Sequence, residues 1–181
     1  MNIKTTLLSL LTLSTLTAPV LAGYEYDGVH LMDGSDFKGN EVVAGEMIDS
    51  LTEMGIPVVD GGKNDLPMCE KKGDSYMLGA YAPGPNIMII CTQNGNSELM
   101  METLTHEVVH VIQDARAGIN NDEMIVGDRS YFQRLVNALH PSKAQTIQSL
   151  YEEKDWAVEV EAFHWEDQPE VVNNELKKFV F

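Results

Sequence analysis

The chain is short of positive charge: 12 Lys and Arg stand against 28 Asp and Glu, for a formal net charge of −16. A surface of that sign repels phosphate backbones and argues against nucleic acid as a partner; its ordinary consequence is solubility. Cysteine is scarce, with two residues in 181, yet a chain of this length can bury a core without disulfide or metal scaffolding. Internal repeats, low-complexity tracts and Pro/Ser-rich linkers are absent beyond the N-terminus, so residues 23–181 read as one domain. No apolar run reaches the about 20 residues a spanning helix needs. What remains, 44% hydrophobic and 22% charged, is ordinary globular composition.

The N-terminus has the layout of a secretory signal peptide. Lys4 is followed by an apolar stretch at residues 7–16, and Val20-Leu21-Ala22 ends in a small residue before Gly23. Residues 1–22 are therefore expected to be removed, leaving a secreted or periplasmic protein with no stable membrane insertion. No Cys follows the cleavage point to carry a lipid. In an oxidising compartment the even cysteine count predicts a Cys69–Cys91 bridge, which contributes about 3 kcal/mol.

Along the mature chain, residues 39–54 have helical spacing. Val43, Met47, Leu51 and Met54 share a face with Ile48 beside it, and Gly55 is a natural stop. Residues 56–59 read as a short strand kept near an edge by Pro57. Residues 76–81 and 87–91 read as an antiparallel hairpin about the Pro83-Gly84-Pro85-Asn86 turn, the second being the most apolar run in the domain. From Ser97, a good N-cap, the pattern is helical. Leu104, Val108, Val111, Ile112 and Ala115 face the core, and Gly118 is the stop. Residues 131–139 form a further helix ended by Pro141. Ser142-Lys143-Ala144-Gln145 has capping-box form and opens a helix that runs on, kinked, to Trp165. Pro169 opens the last one. This order predicts an α+β fold, a small mixed sheet with a long helix packed on it.

That long helix contains His106-Glu107-Val108-Val109-His110, an HExxH sequence. Residues four apart share a helix face, so two imidazoles can meet one metal. Zinc suits imidazole and a tetrahedral site, and Glu107 then stands beside the remaining position as a general base. The competing reading is two surface histidines on an ordinary helix. For a third ligand, the metzincin form requires Gly and His where Gln113 and Arg116 stand, so a downstream carboxylate is needed. Glu159 and Glu161 lie among apolar neighbours on a predicted helix, unusual for acids without a buried partner. They point about 200° apart, so only one can face the metal. Asp155 and Asp128 come next. Asp114, one turn beyond His110, is a candidate to orient its second ring nitrogen. His140, His164, Tyr131 and Tyr151 are candidate oxyanion donors among which spacing does not select. Asn120, Asn121, Asp122 and Asp128 lack calcium-loop spacing and read as an acidic loop. His30 has no recognisable partner.

The HExxH sequence followed by Glu159-Val160-Glu161-Ala162 resembles the small gluzincins, including the mitochondrial inner-membrane assembly metallopeptidases and the ImmA/IrrE-type peptidases. The resemblance implies Glu159 as third ligand, as the Glu of an E-x-x-A helix, with Glu161 in reserve. It implies a minimal zincin-like fold, with the HExxH helix on the sheet and a downstream ligand helix. It also implies hydrolysis of a peptide or protein substrate by water activated on zinc, with Glu107 as base. In zincins the edge strand beside that helix pairs with substrate, a role falling here to residues 86–91. The rival expectation is a catalytically silent zincin-like domain that holds zinc or recognises a partner. Glu107 argues against it, since binding alone needs no base.

Overall fold

A computed structural model describes residues 28–73, 75–118 and 123–180. The expected signal peptide and the loop residues Asn120, Asn121 and Asp122 lie outside the described residues. Helix α1 (Glu41–Glu53) buries Ala44, Met47, Ile48 and Leu51, with Val43 and Met54 packed against the same core. It stops at Gly55, after which the Ile56 N–H returns to the Leu51 carbonyl at 2.8 Å.

Three short strands follow: β1 (Val58–Asp60), β2 (Gly79–Ala82) and β3 (Ile87–Ile90). Their order is β1-β3-β2, with β3 parallel to β1 and antiparallel to β2. The expected hairpin is present, closed by an Asn86 N–H bond to Pro83 O at 3.1 Å. Its first strand is shorter and later than residues 76–81. The expected edge role of residues 86–91 is incorrect: β3 is the central strand, paired along both sides. A continuous apolar run reports that both faces of a strand are covered, as they are in outer β1 and β2 as well, so it does not distinguish centre from edge; the pairing of β3 with both does. Cys69 and Cys91 are bridged, with their Cα atoms 5.3 Å apart, and both are buried against Ile89 and Val59.

Helix α2 (Ser97–Ala117) is the long element about which the others gather. Its N-cap is Asn96, one residue before the expected Ser97, and the Asn96 side chain accepts from Leu99 N at 2.9 Å. It ends at Gly118, whose φ of 101° is left-handed backbone that glycine tolerates best. One side of α2 meets β2 and β3; the others meet α1, α5 and α6. Leu104, Val108, Val111 and Ile112 lie in one core with Met47, Leu51, Tyr81, Met88, Ala162 and Leu176. A Cβ at Gly79 would fall 2.6 Å from the Thr103 methyl, so glycine lets β2 close onto α2.

The remaining helices are α3 (Arg129–Ala138), α4 (Pro141–Leu150), α5 (Trp156–Trp165) and α6 (Pro169–Leu176). Two expectations change. The α4 cap is His140, whose side chain accepts from Ser142 N, because Pro141 takes the first helical position where its missing N–H costs nothing. The helix does not run on to Trp165: it breaks after Leu150, and a short 3-10 turn at Glu153–Asp155 precedes α5. The fold is thus mixed α+β, a three-stranded sheet with six helices among the described residues. None of the described helices is long and apolar enough to cross a membrane.

Candidate metal centre

The middle of α2 is buried on every side, from Thr103 to Asp114. Buried polar groups there must find partners or carry a penalty of about 1–3 kcal/mol each. Most do. Thr105 Oγ1 donates to Met101 O at 2.8 Å. Glu107 Oε2 accepts the Tyr81 N–H of β2 at 2.8 Å. Asp114 Oδ2 accepts the Tyr81 hydroxyl at 2.7 Å. His106 Nδ1 lies 2.9 Å from Glu166 Oε2, and His110 Nδ1 lies 2.8 Å from Gln113 Oε1.

Four buried atoms have no hydrogen-bond partner among the described residues at this point: His106 Nε2, His110 Nε2 and both carboxylate oxygens of Glu159. They face one another. His106 Nε2 is 3.4 Å from Glu159 Oε2, and His110 Nε2 is 3.5 Å from Glu159 Oε1. One donor atom from each residue lies within 4.8 Å of the others. Exposure is 5% for His106, 1% for His110 and 0% for Glu159, which removes the surface-histidine reading. Two imidazoles and a carboxylate whose unpartnered atoms converge can hold a metal ion, and such an ion would satisfy all three. Glu107, 4% exposed, is on the same helix beside them.

The electrostatics of the metal-free group follow from this closeness. Burial opposes a charge on His106, but Glu159 and Glu166 outweigh it and hold the ring well above its usual range. Burial pushes Glu107 up; the two histidines and the Tyr81 N–H pull the other way, and the Glu159 charge adds to the rise.

Other expected residues divide clearly. Glu161 faces away from the group and is bonded by Gln113, Arg116 and Tyr131. Asp114 does not orient His110; Gln113 does, because it lies three residues on along the same face and its amide reaches the ring. Asp128 caps α3, accepting from Ser130 N and Tyr131 N. Asp155 ends the turn before α5. Of the four oxyanion candidates, His140 caps α4, Tyr131 is engaged with Glu161, and His164 stacks edge-on against Trp165. Tyr151 alone turns to the centre. Its hydroxyl is buried without a hydrogen-bond partner among the described residues, and its ring meets Phe163, which meets His106. Burial, then the Glu159 and Glu107 charges, push its phenol up, so it remains a hydroxyl. Sequence reasoning missed Glu166, which lies beyond α5 and bridges His106 to Lys143 at 3.1 Å. It also passed over Gln113, whose i+3 spacing from His110 was visible.

Residues 62–181 match the family described as a domain of unknown function, DUF8637. The chain belongs to the DUF8637 family. The DUF8637 match takes in β2, β3 and α2 through α6, and with them every residue of the centre; α1 and β1 precede it. No curated protein and no solved structure matches the chain.

Proposed function

We propose that this protein is an exported zinc-dependent peptidase of the small gluzincin kind, with a minimal zincin-like domain. His106, His110 and Glu159 are its metal ligands and Glu107 its general base. The reading rests on one observation: the unpartnered atoms of His106, His110 and Glu159 converge beside Glu107. Imidazole and carboxylate donors in this number suit zinc with a further position for water or substrate. When bound, zinc supplies a Lewis acid that acidifies water and polarises a carbonyl.

The chain's own residues supply the rest. Glu107 takes the proton from the attacking water and passes it to the leaving amine. Its burial favours holding that proton, and the Tyr81 N–H fixes one of its oxygens. Tyr151 donates a hydrogen bond to the carbonyl oxygen as charge develops on it. An extended peptide runs along β2, the outer strand beside Glu107, rather than along central β3. The Cys69–Cys91 bridge supports export, because such bridges persist in oxidising compartments.

One observation favours the silent zinc-binding alternative: exposure across the four residues does not exceed 5%, and structural metal sites are closed. Zinc stoichiometry of the purified protein, with cleavage of unfolded casein with and without chelator, separates the readings. The peptidase reading expects one zinc, chelator-sensitive cleavage, and a Glu107→Gln protein that keeps zinc but loses cleavage by about 10²–10⁴-fold. Zinc without cleavage supports the silent domain, and protein that takes no zinc removes both.

A further inference from the structure

We propose, resting on the reading of His106, His110 and Glu159 as a metal centre, that Gln113 is the positioning residue that holds His110 in its Nδ1-protonated tautomer, and that Glu161 acts through it. The Gln113 side chain is fully buried, and its two ends have opposite surroundings. Nε2 lies 3.0 Å from Val158 O and 3.0 Å from Glu161 Oε2, both acceptors. A reversed amide would set its oxygen against two oxygens, so the network decides the orientation. Oε1 is then the atom 2.8 Å from His110 Nδ1. An amide oxygen only accepts, so Nδ1 carries the hydrogen and the neutral ring keeps its lone pair on Nε2. That nitrogen is the one 3.5 Å from Glu159 Oε1.

Glu161 is held so firmly that it can serve as an anchor. Arg116 Nη1 lies 2.8 Å from its Oε1 and 3.1 Å from its Oε2. The Tyr131 hydroxyl donates to Oε1 at 2.7 Å and accepts from Trp165 Nε1 at 3.0 Å. Burial and the bond to Glu161 push the Tyr131 phenol up to about 12, so it stays a donor. Helix α5 therefore directs Glu159 to the metal-facing nitrogens and Glu161, two residues on, to the support of one ring. The other ring is supported differently. His106 meets the Glu166 carboxylate, itself paired with Lys143, whereas His110 meets a neutral amide.

Long-range proton–nitrogen NMR of the metal-free protein reads the tautomer, and competitive zinc titration reads affinity. His110 is expected to be Nδ1-protonated. Gln113→Leu should lose that single tautomer and bind zinc roughly ten- to hundredfold more weakly. Glu161→Ala, which removes one of the two acceptors on Gln113 Nε2, should weaken the same tautomer preference and zinc binding by less than Gln113→Leu does, because Val158 O still accepts from that end. A wild-type His110 protonated on Nε2 overturns the proposal whether or not the variants fold. So does a Gln113→Leu protein with unchanged tautomer and affinity. Wild-type protein with Nδ1-protonated His110 that takes no zinc overturns the metal-centre reading instead and leaves the tautomer assignment standing.

Discussion

Asp60, at the end of β1, and Glu159, in the seam between α2 and α5, are both completely buried, but in different company. Asp60 Oδ1 accepts from Gly62 N, Lys63 N and the Thr92 hydroxyl, and Lys63 Nζ stands 3.2 Å from Oδ2. Burial opposes its charge, but these donors prevail and hold its carboxyl below the usual range. Glu159 has no such donors; both its oxygens look at imidazole nitrogens. A buried acid wrapped in donors organises a loop. A buried acid facing other ligand atoms is accounted for by something between them.

The sharpest way to break that contrast is to remove each acid in turn. Glu159→Ala should abolish hydrolysis and weaken zinc by more than the about ten- to hundredfold loss that follows removal of a supporting residue. Asp60→Ala should leave zinc binding alone and cost about 2–3 kcal/mol of folding stability instead. Equal zinc affinity in the two variants, read by competitive titration, removes the distinction.

The disulfide belongs to the Asp60 side of the comparison. Replacing Cys69 and Cys91 together by Ala should lower stability by about 3 kcal/mol in denaturant titration, with zinc affinity unchanged. Tyr151→Phe tests the other side: kcat should drop about a hundredfold with zinc retained, as when one oxyanion donor is lost. A Tyr151→Phe variant with wild-type kcat would end that assignment.

The smallest effect is in pH. The Asp60 carboxyl is lowered from its ordinary 3.8, so its stabilisation is present above that value and fades as pH falls through the lowered one. His106 is raised from 6.5, so in metal-free protein its stabilisation is present below 6.5 and fades as pH climbs through the raised value. Zinc must displace that proton, so the gain in melting temperature on adding zinc should grow from pH 6 to pH 8. A gain that shrinks over this range contradicts the placement of zinc on His106.

Legibility followed the range of the interaction. HExxH was readable because i and i+4 share a face whatever surrounds the helix. The stops at Gly55 and Gly118 and the start at Pro169 were readable for the same local reason. The strand at β3 was readable but its position was not: an apolar run reports burial, and the order β1-β3-β2 comes from which neighbours cover it. The role expected of Asp114 passed to Gln113, because both lie within a turn of His110 and only packing against β2 turns Asp114 to Tyr81.

By itself the amino-acid sequence determined the local parts: an α+β order of elements, two cysteines fit to pair, a helix presenting His106, Glu107 and His110, and a later helix bearing two acids. Periodicity carries that information along one chain segment. The tertiary structure decided that Glu159 rather than Glu161 meets the imidazoles, that Glu166 and Gln113 support them, and that Tyr151 joins them. The rotation of α5 against α2 selects Glu159 over Glu161 and brings Glu166 to His106, while Tyr151, at the end of α4, is placed through its contact with Phe163; both depend on packing against the rest of the molecule.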